Sequence, residues 1–204
     1  VANITKESAA LAVKADAKWK TIEEFIAYAK ENPGKVSVAN SGVGSFNHLV
    51  AAAIEDAAGV KFKHIPMDAK QSMTSLLGGK VDAMVNMTFD IVQQEQAGQV
   101  RTLAVAADSK HPLLPEGPTF KEKGIDVDFT MYRGIAVPKG TPDDVVKILE
   151  ASFVKAANSQ EFKDFIAKYG VEANVMGASE FDTFMADQDK LVANLMEKVG
   201  MKKQ

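Results

Sequence analysis

The sequence predicts a layered α/β protein with largely parallel strands. Three observations carry that prediction: short apolar or β-branched runs alternate with amphipathic helical patterns, glycine follows most of the helical stretches, and no repeat or low-complexity tract breaks the alternation. With 46% apolar and 25% charged residues the composition is globular, and 204 residues at about 150 per domain allow one to two domains.

Each element follows from local chemistry. Residues 8–14 (SAALAVK) read as a strand. Thr21 opens a helix as N-cap with Glu24 completing a capping box, Ile22, Phe25, Ile26 and Ala29 form its apolar face, and Asn32-Pro33-Gly34 stops it. Strands are expected at 36–39, 61–65, 81–86 and 102–106. Helices are expected at 46–58, ended by Gly59, at 71–77, ended by Gly78-Gly79, and at 90–97, closed by Gly98. Pro112, Pro115 and Pro118 then mark a connection that resists both helix and sheet. Residues 129–137 read as an extended crossing strand. Beyond it Thr141 caps a helix with Pro142 at its first position and Asp143 and Asp144 in its first turn. Ser159 and Ser179 begin two more, and an apolar stripe from Phe181 through Phe184, Met185, Leu191, Leu195 and Met196 continues the last to the C-terminus.

Two regions differ in kind. Residues 13–125 form a complete α/β lobe, whereas 1–12 and 126–204 supply hinge strands and helices with little sheet to cover. A helix with an apolar face must bury it, so the second region is expected to be part of an incomplete lobe.

Charge and composition exclude several functions. Lys plus Arg number 24 against 27 Asp plus Glu, a net charge of −3, so no field concentrates nucleic acid or anionic lipid. The longest apolar run, 49–54, has six residues against the roughly 20 that cross a bilayer. There is no cysteine, which removes disulfides, thiolate nucleophiles and most zinc sites. Of the three histidines, His64 and His111 read as isolated, and no spacing of His and carboxylates suggests a metal. No signal peptide is visible and Val1 is not an initiator Met, so the sequence is expected to lack its natural beginning.

The richest segment is Ala39-Asn40-Ser41-Gly42-Val43-Gly44-Ser45-Phe46-Asn47-His48. A glycine loop lies between the carboxyl end of a buried strand and the start of an amphipathic helix, where free amides and the positive end of the helix dipole attract anions. Ser41, Gly42, Val43, Gly44 and Ser45 can grip a carboxylate or phosphate without a cationic side chain. The plainer alternative is a tight turn in which Ser45 only caps the helix. His48, one turn into that helix, faces either the loop or the core. No Lys follows the second glycine and Asn47 replaces the third glycine of a dinucleotide fingerprint, which disfavours ATP and NAD. Thr88, just past the strand 81–86, can donate to a ligand oxygen, whereas Asp90 reads as a helix cap and Asp82 as a paired or marginal carboxylate.

The run N-P-G-K-V-S-V-A-N-S-G-V-G-S-F-N-H-L from Asn32 resembles the substrate-binding proteins of tripartite tricarboxylate transporters, the Bug family of periplasmic solute receptors. His64-Ile65-Pro66, Leu76-Leu77-Gly78-Gly79-Lys80-Val81-Asp82 and Gly98-Gln99-Val100-Arg101-Thr102-Leu103-Ala104-Val105 follow in order. Pro118-Thr119, Glu122, Gly124, Gly134, Ala136-Val137-Pro138 and Gly140-Thr141-Pro142 extend the likeness over nearly the whole chain. The resemblance implies a type II periplasmic-binding-protein fold of two hinged lobes, one complete here and one partial. About one hundred residues, carrying the opposing anion loop, are expected before Val1. It further implies a periplasmic receptor that closes on a small carboxylate and delivers it to the permease subunits in the membrane, with no cofactor, no catalytic residue, no nucleic acid and no membrane insertion of its own.

Two departures bear on specificity. Pro66-Met67-Asp68-Ala69-Lys70 stands where relatives continue with Tyr, a basic residue and paired glycines, so Met67 is expected at the ligand. Asp68 either faces the cleft, repelling a second carboxylate or pairing with an amine, or opens the next helix. Tyr132 stands where the family often has Trp and lines either a cleft or a core. Two alternatives remain: a hydrolase-like enzyme using Ser41 or Ser45 with His48, and an effector-sensing module, for which no DNA-binding segment is present.

Overall fold

The computed structural model describes residues 1–127, 129–198 and 200. The chain divides into two compact units, Ser8–Thr130 with the segment from Leu195, and Val1–Glu7 with Met131–Asn194. The first boundary falls at residue 8 rather than 13, because one uninterrupted strand, β1 (Ala2–Lys14), belongs to both units.

In the larger unit β1 is followed by α1 (Ile22–Glu31), β2 (Ser37–Asn40), α2 (Phe46–Ala58), β3 (Lys63–Pro66), α3 (Ala69–Leu77), β4 (Ala83–Met87), α4 (Thr88–Gln96) and β5 (Val100–Val105). The sheet order is β3-β2-β4-β1-β5. Strand β2 runs parallel to β3 and β4, but β1 is antiparallel to both neighbours, with Leu11 opposite Val85 on one side and Ala104 on the other. The expectation of largely parallel strands holds for β2, β3, β4 and β5, which share one direction, and β1 alone runs against them. Residues 9–13 are wholly buried, and a strand covered on both faces shows the same unbroken apolar run in either direction.

Local signals place the helices. Thr21 caps α1 by accepting from the Glu24 amide, although the Glu24 carboxylate reaches back to the Lys20 amide rather than to that of Thr21. Ser45 caps α2, and Gly59 ends it in the left-handed conformation. Asp68 caps α3 from 2.8 Å, which makes it the opening residue of that helix. Asp90 is not a cap: α4 begins at Thr88 without a side-chain cap, and Asp90 lies in its first turn. The side chains of Met73, Leu76, Val81, Met84, Ile91 and Val105 pack into one core on the sheet, with Met67 against its margin. Asp82 accepts from both the amide and the hydroxyl of Ser37, as a carboxylate at a strand margin must.

The smaller unit holds the first residues of β1 with most of β6 (Thr130–Ile135), then α5 (Asp143–Ala157), α6 (Gln160–Ala167), β7 (Glu172–Met176) and the greater part of α7 (Ala178–Lys198). Strand β7, read from the sequence as part of a helical region, pairs antiparallel with β1 through Asn3 and Met176, Thr5 and Ala173, and Lys6 and Glu172. Those partners extend β1 back to Ala2. Helix α5 starts at Asp143, with Pro142 in the cap position, while the Thr141 hydroxyl bonds the Pro138 carbonyl. Ser179 lies inside α7, whose opening amide at Ala178 is taken by Glu150. Ile148 and Phe165 remain largely exposed, as expected of helices with more apolar surface than sheet. The apolar stripe from Phe181 to Met196 lies along α7, and its expected continuation over residues 201–204 lies outside the described residues.

Candidate functional site

The site grows from the junction of β2 and α2. Asn40, the last residue of β2, is buried, and its carbonyl takes the Met67 amide at 2.8 Å, which brings the chain after β3 alongside the loop. Its side-chain oxygen accepts from the Gly42 amide at 3.3 Å and its nitrogen lies 3.1 Å from Nδ1 of His64. Gly42 and Gly44 take φ of 106° and 78°, backbone that a side chain rarely adopts, and this turns the chain sharply onto the helix. The Ser45 amide bonds the Gly42 carbonyl, and the Ser45 hydroxyl accepts from the His48 amide at 3.2 Å. Val43 is left standing in solvent, 70% exposed.

Among the described residues the amides of Val43, Phe46 and Asn47 have no protein partner, and they are the loop's open donors. Gly44 is not one of them. Its amide donates to His48 Nδ1 at 3.1 Å, so within the turn expected to offer free amides Gly44 has none to give. Helix α2 supplies the positive end of its dipole at the same point. Asn47 donates to the Ser41 oxygen at 2.6 Å and to Asn86 at 3.4 Å, and Asn86 in turn donates to the Ala69 carbonyl. Because Ser41 accepts from Asn47, its own hydroxyl proton is free to point elsewhere. The Asn47 carbonyl oxygen is buried without a partner among the described residues.

The expected residues divide accordingly. Ser41, Gly42, Val43, Gly44, Ser45 and His48 form one continuous turn, and Met67 is tied to it through Asn40. Thr88 is buried two residues beyond Asn86. Tyr132 belongs to the smaller unit, where its ring meets Phe181 and Phe184 edge-on at 5.8 and 5.0 Å. His48 is buried behind the turn with its Nδ1 already engaged, so no Ser45–His48 base pairing of the hydrolase kind is formed.

His64 is not isolated. Its ring meets that of His48 edge-on at 4.7 Å, and its Nε2 lies 3.3 Å from Glu55. Burial would raise the Glu55 carboxyl, but hydrogen bonds from His64 and the Phe62 amide, with the charges of His64 and Lys61, hold it below its ordinary value. Burial, aided by His64 and opposed by Glu55, keeps His48 below the usual imidazole value. Glu55 was not singled out from sequence; Asn40 and Asn47 lie in the glycine-loop segment, His64 in a motif of the resemblance and Asn86 at the strand end where ligands gather, but none was assigned a site role, because such a role emerges only when the side chains converge. Among the described residues no three His, Asp or Glu side chains are placed to hold a metal, and no helix is long and apolar enough to cross a membrane.

The family model described as tripartite tricarboxylate transporter family receptor matches residues 1–201. The chain belongs to this receptor family. A family relative from Cupriavidus necator, known as the UPF0065 protein in the gbd 5′ region, is 33% identical over this whole chain, which spans 62% of its length. The TctC solute-binding protein from Polaromonas, solved without ligand, is 36% identical, with a TM-score of 0.85 over 97% of this chain and 68% of that one. The periplasmic binding protein BugD is 29% identical, with a TM-score of 0.82 over all of this chain and 70% of its own.

Proposed function

We propose that the chain is part of an extracytoplasmic solute receptor that binds a small carboxylate, without transforming it, for delivery to the permease subunits of a tripartite tricarboxylate-type transporter in the membrane. One observation carries this reading: the open amides of Val43, Phe46 and Asn47 at the start of α2, flanked by the Ser41 and Ser45 hydroxyls, in a stretch where neither Lys nor Arg occurs between residues 36 and 60. Uncharged donors backed by a helix dipole suit an anion that must be held and then released. Met67 and Thr88 flank this turn in the proposal, and Tyr132 is proposed as a further ligand residue. Membership of the receptor family supports the periplasmic location and the permease partner in this reading.

Two proteins of this fold, 21% and 22% identical, were solved with adipate and with malate, which makes those acids practical probes. Amide NMR of the chain with millimolar adipate or malate tests the reading. Val43, Phe46 and Asn47 should shift together as either acid is added, and shifts confined to other surfaces would overturn it.

A further inference from the structure

Two imidazoles and a carboxylate stand behind the anion loop, and the hydrogen bonds settle where their protons lie. The Asn40 side-chain oxygen accepts from the Gly42 amide, so its nitrogen is the group facing His64. An amide nitrogen only donates; His64 Nδ1 therefore accepts, and the ring proton sits on Nε2 toward Glu55. The Gly44 amide likewise only donates, so His48 Nδ1 is bare as well. Both bonds need uncharged rings. The His48 bond ends on Gly44 itself, and the His64 bond ends on the Asn40 side chain, whose oxygen accepts from the Gly42 amide; Gly42 and Gly44 are the two glycines whose positive φ shapes the turn.

We propose that His48 and His64 are positioning residues that hold Gly42 and Gly44 in the anion-binding shape only while both rings are neutral, so that acid releases the loop. A proton on His48 Nδ1 would set two N–H groups against each other and push Gly44 away. A proton on His64 Nδ1 would face the Asn40 nitrogen. Rotating that amide would satisfy His64 but would turn its nitrogen onto the Gly42 amide, so the disturbance reaches the loop in either case.

The surrounding charges are few. From α2 itself come Glu55, against His64, and Asp56; β3 adds His64 and exposed Lys63; Lys61 reaches Glu55. Strands β2 (SVAN) and β4 (AMVNM), on which α2 packs, carry no ionisable side chain. Burial and the proximity of the two rings both favour the neutral form of His48, and Glu55 alone opposes it.

The relay deepens the anion-loop reading and rests on it for its purpose, but it is tested without ligand. The chain is titrated from pH 8 to pH 5 while the ring nitrogens and the Gly42 and Gly44 amides are followed by NMR. The Gly44 amide proton should move upfield, as its hydrogen bond is lost, with the midpoint of the His48 ring. His48→Asn keeps an acceptor near the Nδ1 position but cannot titrate, so its Gly44 amide should stay at the wild-type position and be flat with pH. Glycine amides that stay fixed while the rings titrate would overturn the proposal. So would rings that remain neutral to pH 5 or until the chain unfolds, or a His48→Asn variant whose Gly44 still titrates. Failure of adipate and malate to bind would sink the functional reading and leave these titrations unaffected.

Discussion

Arg133 on β6 donates from Nη1 to the carboxylate of Glu7, pairing a half-exposed guanidinium with an almost wholly buried acid. The asymmetry decides which partner matters more. Removing the cation strands a carboxylate where water does not reach it, so Arg133→Met should destabilise the protein by about 1–3 kcal/mol. Glu7→Gln, which leaves an exposed Arg and a neutral buried amide, should cost less. Urea unfolding of the two variants checks the order, and equal losses would contradict it.

Ser45 has two roles that separate experimentally. Its oxygen caps α2 by accepting from the His48 amide, and its hydroxyl proton remains available to an anion. Ser45→Ala should lower stability by about 1 kcal/mol through the lost cap and weaken carboxylate binding by about 1–2 kcal/mol through a lost bond to a charged group. Ser45→Gly should restore most of the stability and none of the binding. Calorimetry with malate beside thermal unfolding reads both.

Acid should destabilise the larger unit in two stages. The His48 pKa is lowered by folding, so the unfolded chain binds more protons below the ordinary value of 6.5; stability is full above that pH and falls as pH drops beneath it. The Glu55 pKa is also lowered, so the stability it contributes is present above its ordinary 4.5 and is lost as pH falls through its folded value. Melting temperatures measured from pH 8 to pH 4 should therefore begin to fall near pH 6.5 and steepen below pH 4.5. His48→Asn should remove the first stage only.

Gly134 is required by space rather than by backbone angle. A Cβ there would fall on the Phe181 ring and the Ala2 carbonyl, neither of which can withdraw without opening the packing of the smaller unit. Gly134→Ala should cost about 1–3 kcal/mol as overpacking, and denaturation at an unchanged midpoint would refute this.

Asp68 is a helix cap in this structure, holding the Gln71 amide. Asp68→Asn should retain the stability of α3, whereas Asp68→Ala should lose about 1 kcal/mol. If instead the acid served a ligand amine, Asp68→Asn would change ligand preference at constant stability, which a thermal-shift screen of amino acids against plain dicarboxylates would detect.

How much of the site was legible follows from how far each interaction reaches along the chain. The turn from Ser41 to Ser45 and its cap on His48 close within a few residues, and they stand where periodicity and glycine spacing put them. The His64 contact to Asn40 spans 24 positions and the Asn86 contact to Asn47 spans 39, so neither leaves a pattern in the sequence. For the same reason Gly44 read as an open donor: only the folded helix shows its amide already committed to His48.

By itself, the order of residues determined the starts of α1, α2 and α6 and the glycine end of α2, because a cap is satisfied by amides three or four positions away and a left-handed end by one glycine. It also determined that α2 begins directly after a glycine turn. Only tertiary assembly decided that β1 runs against both neighbours, that residues 172–176 form a strand, and which amides of the turn stay unpaired. The physical reason is that strand direction and side-chain partnership are settled by hydrogen bonds between distant segments, whose choice exists only once the sheet has formed.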